Sequence, residues 1–470
     1  MRTFDVVVVG TGPAGQRAAI QAAKLGRKVL AIERRRTVGG GAVATGTIPS
    51  KTLREAVMHL TGLRERSIYG VSYAVKRNIT VADLTFRLDH VIRNEVAVVE
   101  SQLMRNGVEL AYGVASFNGP HRMRIGTGTE QDEIEAGLVV LAPGSEPALS
   151  PKFPVDGKNI LDTECLFGIR CIPKRLTVVG GGVIGVEYAN IFAALGVKVT
   201  LVERLDRILG FVDREVVDAL VYHMRDQGVV FRLGEEVESC VLDGETVVAT
   251  TASRKTITGD CLLYTVGRQG ATADLNLESV GLTADARGRI PVDAHYQTAV
   301  PWVYAAGDVI GFPALAATSL EQGRAAVRHG LGVATNGVNR VFPLGIYTVP
   351  EISMVGRTEE ELTHDGVPYE TGTARYGETA RGQILGDNTG RLKILVHAQD
   401  RALLGVHIIG EGATELVHIG QMVMGLGGKL DFLVDSVFNY PTLAECYKIA
   451  ALDAFNRLSV RACTNGVRAA

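Results

Sequence analysis

The feature that most restricts what this chain can fold into is an internal repeat. Residues 6–34 read VVVVGTGPAGQRAAIQAAKLGRKVLAIER and residues 176–204 read LTVVGGGVIGVEYANIFAALGVKVTLVER, aligned at an offset of 170 without a gap. Each copy is an apolar run, a G-x-G-x-x-G turn, a helical stretch ending at Leu-Gly, and a second run ending in Glu-Arg. Residues 6–9 are valine throughout, as suits a strand covered on both faces of a parallel sheet. Gly10 permits the tight turn, Gly12 lets the backbone approach a pyrophosphate, and Gly15 lets the helix pack closely on the strand. The helix expected over 14–25 aims its positive end at that phosphate, and Gly26 suits its C-terminus. Glu33 ends the second strand, where a carboxylate accepts both hydroxyls of an adenosine ribose. Gly180, Gly182, Gly185 and Glu203 repeat the arrangement, each glutamate lying 23 residues after the first glycine of its copy. A single such fingerprint is weak evidence. Two, each in strand–helix–strand context with its acid in place, define two dinucleotide sites.

The rest of the chain fits a globular protein of about three domains. Its 470 residues are 46% hydrophobic and 21% charged, with a net charge of −2. That balance gives no basic surface for nucleic acid or for an anionic membrane. The run Arg34-Arg35-Arg36 is read as a solvated loop after a strand. No apolar run reaches the ~20 residues that span a bilayer, and residues 1–10 enter a strand without a cleavage site, so a cytoplasmic location is expected. Six cysteines (Cys165, Cys171, Cys240, Cys261, Cys446 and Cys463) form no C-x-x-C pair and are read as buried reduced thiols. None lies in the first 164 residues. No metal-ligand pattern occurs, and no metal is expected.

Residues 55–110 are helical in pattern, 111–140 suggest a small β-meander, and 134–142 (IEAGLVVLA) return as a buried strand. The expected fold is α/β, with two Rossmann-like dinucleotide-binding domains, one inserted in the other, and a C-terminal α+β domain. Residues 1–148 and 271–344 form the first domain, 149–270 the second and 345–470 the third. In the third, strands are expected at 393–396 and 403–409 and helices at 413–427 and 442–458, with a frayed tail over 459–470.

Further motifs in order along the chain resemble the pyridine nucleotide–disulfide oxidoreductases, such as dihydrolipoamide dehydrogenase and glutathione reductase, over nearly its whole length. Residues 39–51 (GGGAVATGTIPSK) match a stretch that carries two redox cysteines in disulfide-reducing relatives; here those positions hold Ala42 and Thr47. Residues 302–311 (WVYAAGDVIG) match the second FAD motif, in which Asp308 accepts hydrogen bonds from the ribityl chain. Residues 314–324 (ALAATSLEQGR) match the helix whose N–H groups near Ala316 and Ala317 stabilise negative charge on reduced flavin. Residues 347–362 open the dimerisation domain in relatives, and Gly267 and Arg268 match a further family motif. Residues 438–445 (FNYPTLAE) place Tyr440 where disulfide-reducing relatives have an acid–base histidine. A tyrosine of reference pKa ~10 is a poor proton shuttle at neutral pH, and Glu445 is read as structural. In LAPGS (141–145), Pro143 replaces a usual threonine.

With the thiols and the base both replaced, the resemblance implies no disulfide substrate. GTIPSK together with FNYPT is most similar to the transhydrogenase branch of the family. It implies FAD in the first site and hydride transfer between NADPH/NADP+ and NADH/NAD+ through one nicotinamide site, in ping-pong order. Lys51 is implied to lie near flavin N5, paired with Glu187, and the small Val183 to leave the pocket open. A homodimer or larger assembly is implied, with Tyr440 across the interface. Glu203 suits NAD(H) and repels a 2′-phosphate, which Arg204 and Arg207 can offset or ignore as loop arginines; NADP(H) use rests on the resemblance. Two alternatives stay open: an NAD(P)H diaphorase or quinone reductase, and a non-catalytic FAD-binding structural or redox-sensing protein.

Overall fold

The computed structural model describes every residue except 128, 129, 149, 335–340, 469 and 470. The boundary expected at 148/149 therefore meets a residue outside the described ones.

The first sheet is built around the glycine turn of the first repeat. Strands Glu109–Tyr112, Val29–Glu33, Arg2–Val9 and Glu130–Leu141 lie side by side in that order and run parallel. Alternate residues enter opposite cores, as the two-residue period of a strand requires. Val7, Val9, Leu30 and Ile32 pack on one face, and Val6, Val8, Val29 and Ala31 on the other. Glu130–Leu141 does double duty. Its first half pairs antiparallel with Arg122–Thr127, which pairs with Val114–Phe117 to complete the meander. Its second half pairs parallel with Val303–Ala305, so a strand from far down the chain completes this sheet. The helix that follows, Ala316–Gly330, crosses Pro13–Lys24 at Gly323, where a Cβ would lie 2.0 Å from the Ala14 carbonyl oxygen.

Between these two passes the chain builds a second parallel sheet, in the order Val230–Leu233, Lys198–Glu203, Arg175–Val179, Cys261–Tyr264, Ile160–Leu161. A three-stranded antiparallel sheet, Val237–Asp243, Thr246–Thr251 and Thr256–Gly259, adjoins it. The chain leaves and re-enters the first unit through one antiparallel ribbon, Ser145–Pro147 against Arg268–Gly270. The C-terminal domain is a five-stranded antiparallel sheet from Leu344–Ile346 to Tyr369–Arg375, covered by helices Ala413–Gly425 and Glu445–Arg468. The fold is thus α/β, with one Rossmann-like unit inserted in the other and an α+β domain after them.

One expectation is corrected and another extended. The last helix continues to Arg468 instead of fraying from 459, because Tyr447, Ala450, Ala451 and Ala454 bury its first turns against the sheet; 469–470 lie outside the described residues. The Arg34–Arg36 run is not simply solvated: Arg34 pairs with Glu146 at 3.5 Å and Arg35 with Glu164 at 3.2 Å, tying the first unit to the connecting ribbon and the second unit. Among the described residues no helix is long and apolar enough to cross a membrane.

Candidate functional site

The two fingerprints fold alike. Gly10 and Gly180 have φ of +93° and +113°, a region that side chains rarely enter. A Cβ on Gly15 would lie 1.9 Å from the Gly10 carbonyl oxygen, and one on Gly185 would lie 2.0 Å from that of Gly180. Gly12 and Gly182 are the N-caps of their helices with no side-chain cap and no acid in the first turn. The first-turn N–H donors and the positive helix end therefore have no anionic partner from the helix itself, the arrangement that receives a phosphate. Added Cβ atoms at Gly12 and Gly182 would meet only the Gly40 Cα at 4.0 Å and nothing, respectively. These cradles fit a dinucleotide pyrophosphate on both units.

The two acids are held by matching bonds. Glu33 accepts from the N–H of Thr11 at 3.1 Å and of Arg35 at 2.9 Å. Glu203 accepts from the N–H of Gly181 at 2.5 Å and of Leu205 at 2.9 Å. Each carboxylate is fixed at its strand end and keeps lone pairs for ribose hydroxyls. In the first unit the Thr11 hydroxyl also donates to Glu33 at 2.5 Å and accepts from the Gly39 N–H at 3.1 Å. That closes residue 39 over the acid, which is 4% exposed. Gly181 carries no such hydroxyl, and Glu203 stays partly exposed.

Lys51 and Glu187 meet across the two units. Lys51 Nζ lies 2.8 and 3.0 Å from the Glu187 oxygens. The helix Thr47–Thr61 carries the lysine and Val183–Ala194 the glutamate. The Glu187 side chain is 5% exposed and that of Lys51 26%. Tyr347, at the start of the C-terminal domain, completes the group: its N–H donates to Glu187 at 2.8 Å and its ring centre is 4.7 Å from Lys51 Nζ. The pair therefore reports on the packing of all three domains. Sequence reasoning missed Tyr347, because a backbone N–H leaves no trace in residue type.

Asp308 follows Gly307, where an added Cβ would lie 3.2 Å from that of Ala14 in the first fingerprint. Ser145 Oγ donates to it at 2.8 Å, and Arg268 Nε donates to Ser145 Oγ at 2.8 Å. Gly267, before that arginine, has φ of +82°. Both ends of the connecting ribbon thus reach Asp308. Ala316 and Ala317 open their helix behind Leu315, with no side-chain cap, so their N–H groups point outward.

The structure does not bring every expected residue together within one chain. Tyr440 is 75% exposed and, among the described residues, makes no hydrogen bond. Arg204 is exposed. Arg207, left open as a loop arginine, is engaged: Nη1 lies 3.4 Å from Glu360 Oε1 in the C-terminal domain.

Ala42 and Thr47 fall at the junction of the Gly40–Ala44 and Thr47–Thr61 helices. There Thr45 and Gly46 N–H donate to the Gly41 carbonyl at 3.1 and 2.7 Å, a backbone closure without sulfur. Of the five cysteines whose side chains are described, Cys240, Cys261 and Cys446 are buried, Cys165 is half-buried and Cys171 is exposed, which corrects the uniformly buried reading. Burial pushes the Cys165 and Cys240 thiols up to about 11 and those of Cys261 and Cys446 up to about 12, so these four are poor nucleophiles. Among the described residues, Asp213, Glu215 and Glu359 are the one acidic group close enough to hold a metal ion, and the Lys393 ammonium already sits among them.

Two interlocked nucleotide cradles, a lysine–glutamate pair between them and a C-terminal sheet closing the group define a two-dinucleotide oxidoreductase. The chain belongs to the pyridine nucleotide-disulphide oxidoreductase family: the family model matches residues 4–330 and that of the family's dimerisation domain residues 342–451. Among its relatives, the soluble pyridine nucleotide transhydrogenase of Mycobacterium bovis (strain BCG / Pasteur 1173P2) is 52% identical over 460 residues, 97% of this chain and 98% of that one. That of Yersinia pestis (strain Pestoides F) is 42% identical over 461 residues, with the same coverage. Among solved structures, LpdA of Mycobacterium tuberculosis superposes with a TM-score of 0.88 at 27% identity, covering 96% of this chain and 99% of that one. The HOCl-induced flavoprotein disulfide reductase RclA of Escherichia coli gives 0.85 at 27%, covering 95% and 99%.

Proposed function

We propose that this protein is a flavin-dependent transhydrogenase of the cytoplasm that exchanges hydride between NADPH/NADP+ and NADH/NAD+. The observation that carries the reading is the intact Lys51–Glu187 pair beside positions 42 and 47, which hold alanine and threonine. Residues 1–148 and 271–344 hold FAD, residues 149–270 take the nicotinamide nucleotides in turn, and residues 345–470 pair two copies. FAD held there would supply two-electron hydride chemistry between the two nucleotides.

The chain's own residues bind, orient and charge the site. Gly10, Gly12 and Gly15 with the helix they open hold the FAD pyrophosphate, and Glu33 its ribose. Gly180, Gly182, Gly185 and Glu203 do the same for the nicotinamide nucleotide. Asp308, oriented by Ser145, would accept from the ribityl chain, and the N–H groups of Ala316 and Ala317 would serve the flavin pyrimidine. The Lys51 ammonium, held by Glu187 and the Tyr347 ring, favours the negative charge of the reduced ring system. Tyr440, exposed in one chain, faces the partner's site in the dimer. Gly267 and Arg268 set the connecting ribbon, and Arg204 stands at the adenosine end.

Mixing the FAD-loaded protein with NADPH and a thio-analogue of NAD+ tests the reading. Reduced analogue should accumulate at a steady rate under anaerobic conditions. Rapid reoxidation of the reduced protein by a quinone, with none by NAD+, would assign it as a diaphorase. A bound flavin that neither nucleotide reduces would leave a non-catalytic role.

A further inference from the structure

Arg207 lies in the loop that closes over the second fingerprint. Just beyond it, Leu209 N–H donates to the Gly181 carbonyl at 2.9 Å. Ile208 packs so closely on Gly181 that a Cβ there would lie 2.8 Å from its methyl group. The same Gly181 donates to Glu203. Arg207 therefore stands beside the ribose-reading acid, yet its guanidinium is turned toward the C-terminal domain. Nη2 donates to the Gly210 carbonyl, and Nη1 lies 3.4 Å from Glu360 Oε1.

The Arg207–Glu360 pair is a poor structural bond. Its side chains are 31% and 39% exposed, and the second Glu360 oxygen is buried with no hydrogen-bond partner. Nor is the pair needed to hold the loop. Asp213, at the loop's far end and 1% exposed, is gripped by Lys393 Nζ at 3.1 Å through both oxygens. Glu359 and Glu215 bind the same ammonium. The loop is thus pinned by a buried cluster, while one arginine at its bend holds the Gly210 carbonyl of its own loop and reaches the C-terminal domain through one long contact that can be exchanged.

We infer that Glu360 sets nucleotide choice by competing with the 2′-phosphate of NADP(H) for Arg207. NAD(H) binds with the Arg207–Glu360 pair intact, its ribose hydroxyls on Glu203. A 2′-phosphate, repelled by Glu203, is accepted when Arg207 leaves Glu360 and forms charge-assisted bonds to it. One site can then take both nucleotides in turn, because the arginine can exchange one anionic partner for another. This rests on the reading of the second unit as the nicotinamide-nucleotide site.

Calorimetric titration of the full-length FAD-loaded protein with 5′-AMP and with 2′,5′-ADP tests it without turnover. In Glu360→Gln and in Glu360→Met the preference for 2′,5′-ADP over AMP should rise about threefold to fivefold, the worth of a half-exposed ion pair. In Arg207→Gln that preference should fall about tenfold, and adding Glu360→Gln to Arg207→Gln should change it no further. An unaltered preference in Arg207→Gln overturns the inference, as does a Glu360 effect that persists without Arg207. If both fragments bind as expected but neither NADH nor NADPH reduces the flavin, the proposed function falls while this inference stands.

Discussion

The two repeat units share a backbone plan and differ in how they finish it. Around Glu33 the first unit adds the Thr11 hydroxyl and the Gly39 N–H, and the acid is buried within its own domain. Around Glu203 the second unit has Gly181, leaves the acid partly exposed and lends its following loop to another domain through Arg207–Glu360 and Asp213–Lys393. On the proposed assignment, a cofactor that stays is served by a closed cradle, whose following loop makes only partly exposed pairs beyond its unit, Arg34–Glu146 and Arg35–Glu164. Substrates that must enter and leave are served by an open one whose position is borrowed from outside.

The largest test sets the two acids against each other. Glu33→Ala removes the acceptor of three bonds in a buried site, each worth about 1.5–3 kcal/mol when charge-assisted; the protein should purify colourless and unfold readily. Glu203→Ala should purify yellow and raise the NADPH-to-NADH ratio of flavin-reduction efficiency about tenfold, since one like-charge contact beside a 2′-phosphate is removed. Steady-state kinetics and the flavin spectrum read both. A yellow Glu33→Ala, or an unmoved nucleotide ratio in Glu203→Ala, would erase the contrast.

A smaller test swaps the residue that distinguishes the turns. Thr11→Gly removes one buried hydroxyl bridge and should weaken FAD retention by about 1–2 kcal/mol, measured by flavin release on dilution. Gly181→Thr should not convert the second unit into the first. A Cβ at 181 would meet Ile208 at 2.8 Å and Glu203 Cγ at 3.0 Å, so overpacking of about 1–3 kcal/mol is expected as a lower melting temperature.

The smallest effect is in pH. His407, fully buried, donates its Nε2–H to the Arg357 carbonyl at 2.8 Å, and burial pushes its pKa below the ordinary value. Asp213, Lys393 and Glu360 face it. Lys393 is opposed by the same burial, but Glu359, Asp213 and Glu215 outweigh that and hold it above the usual lysine range. The unfolded chain thus takes up a proton at His407 before the folded one does. Stability from this group is fully present above the unfolded pKa of ~6.5 and is lost as pH falls below it. Hydrogen-exchange protection factors of residues 204–213, taken against the intrinsic rate at each pH, should therefore fall below about pH 6.5 while those of residues 34–41 hold, and His407→Gln should flatten the difference. Equal loosening of both segments would contradict the borrowed anchoring.

Residue patterns expose most of this architecture and only part of its site. The fingerprints, both acids and the Lys51–Glu187 partners announce themselves because glycine turns and fixed spacings follow from backbone geometry. Tyr347 contributes a backbone N–H, Ser145 acts through a hydroxyl between Asp308 and Arg268, and Glu360 lies 153 residues from Arg207. Such contacts arise only when separate domains pack, and no local pattern records them. The Arg34–Arg36 run is the exposed loop after a strand that its pattern announces, but Glu146 and Glu164, the partners of Arg34 and Arg35, belong to other parts of the fold.

An anaerobic reductive titration of the purified FAD-loaded protein bears most directly on whether the flavin is its sole redox centre. With alanine and threonine at 42 and 47, full reduction should consume about two electrons per flavin, the capacity of the isoalloxazine ring alone. An uptake of about four electrons per flavin, the extra pair matching a dithiol couple of the kind disulfide reductases carry, would contradict it.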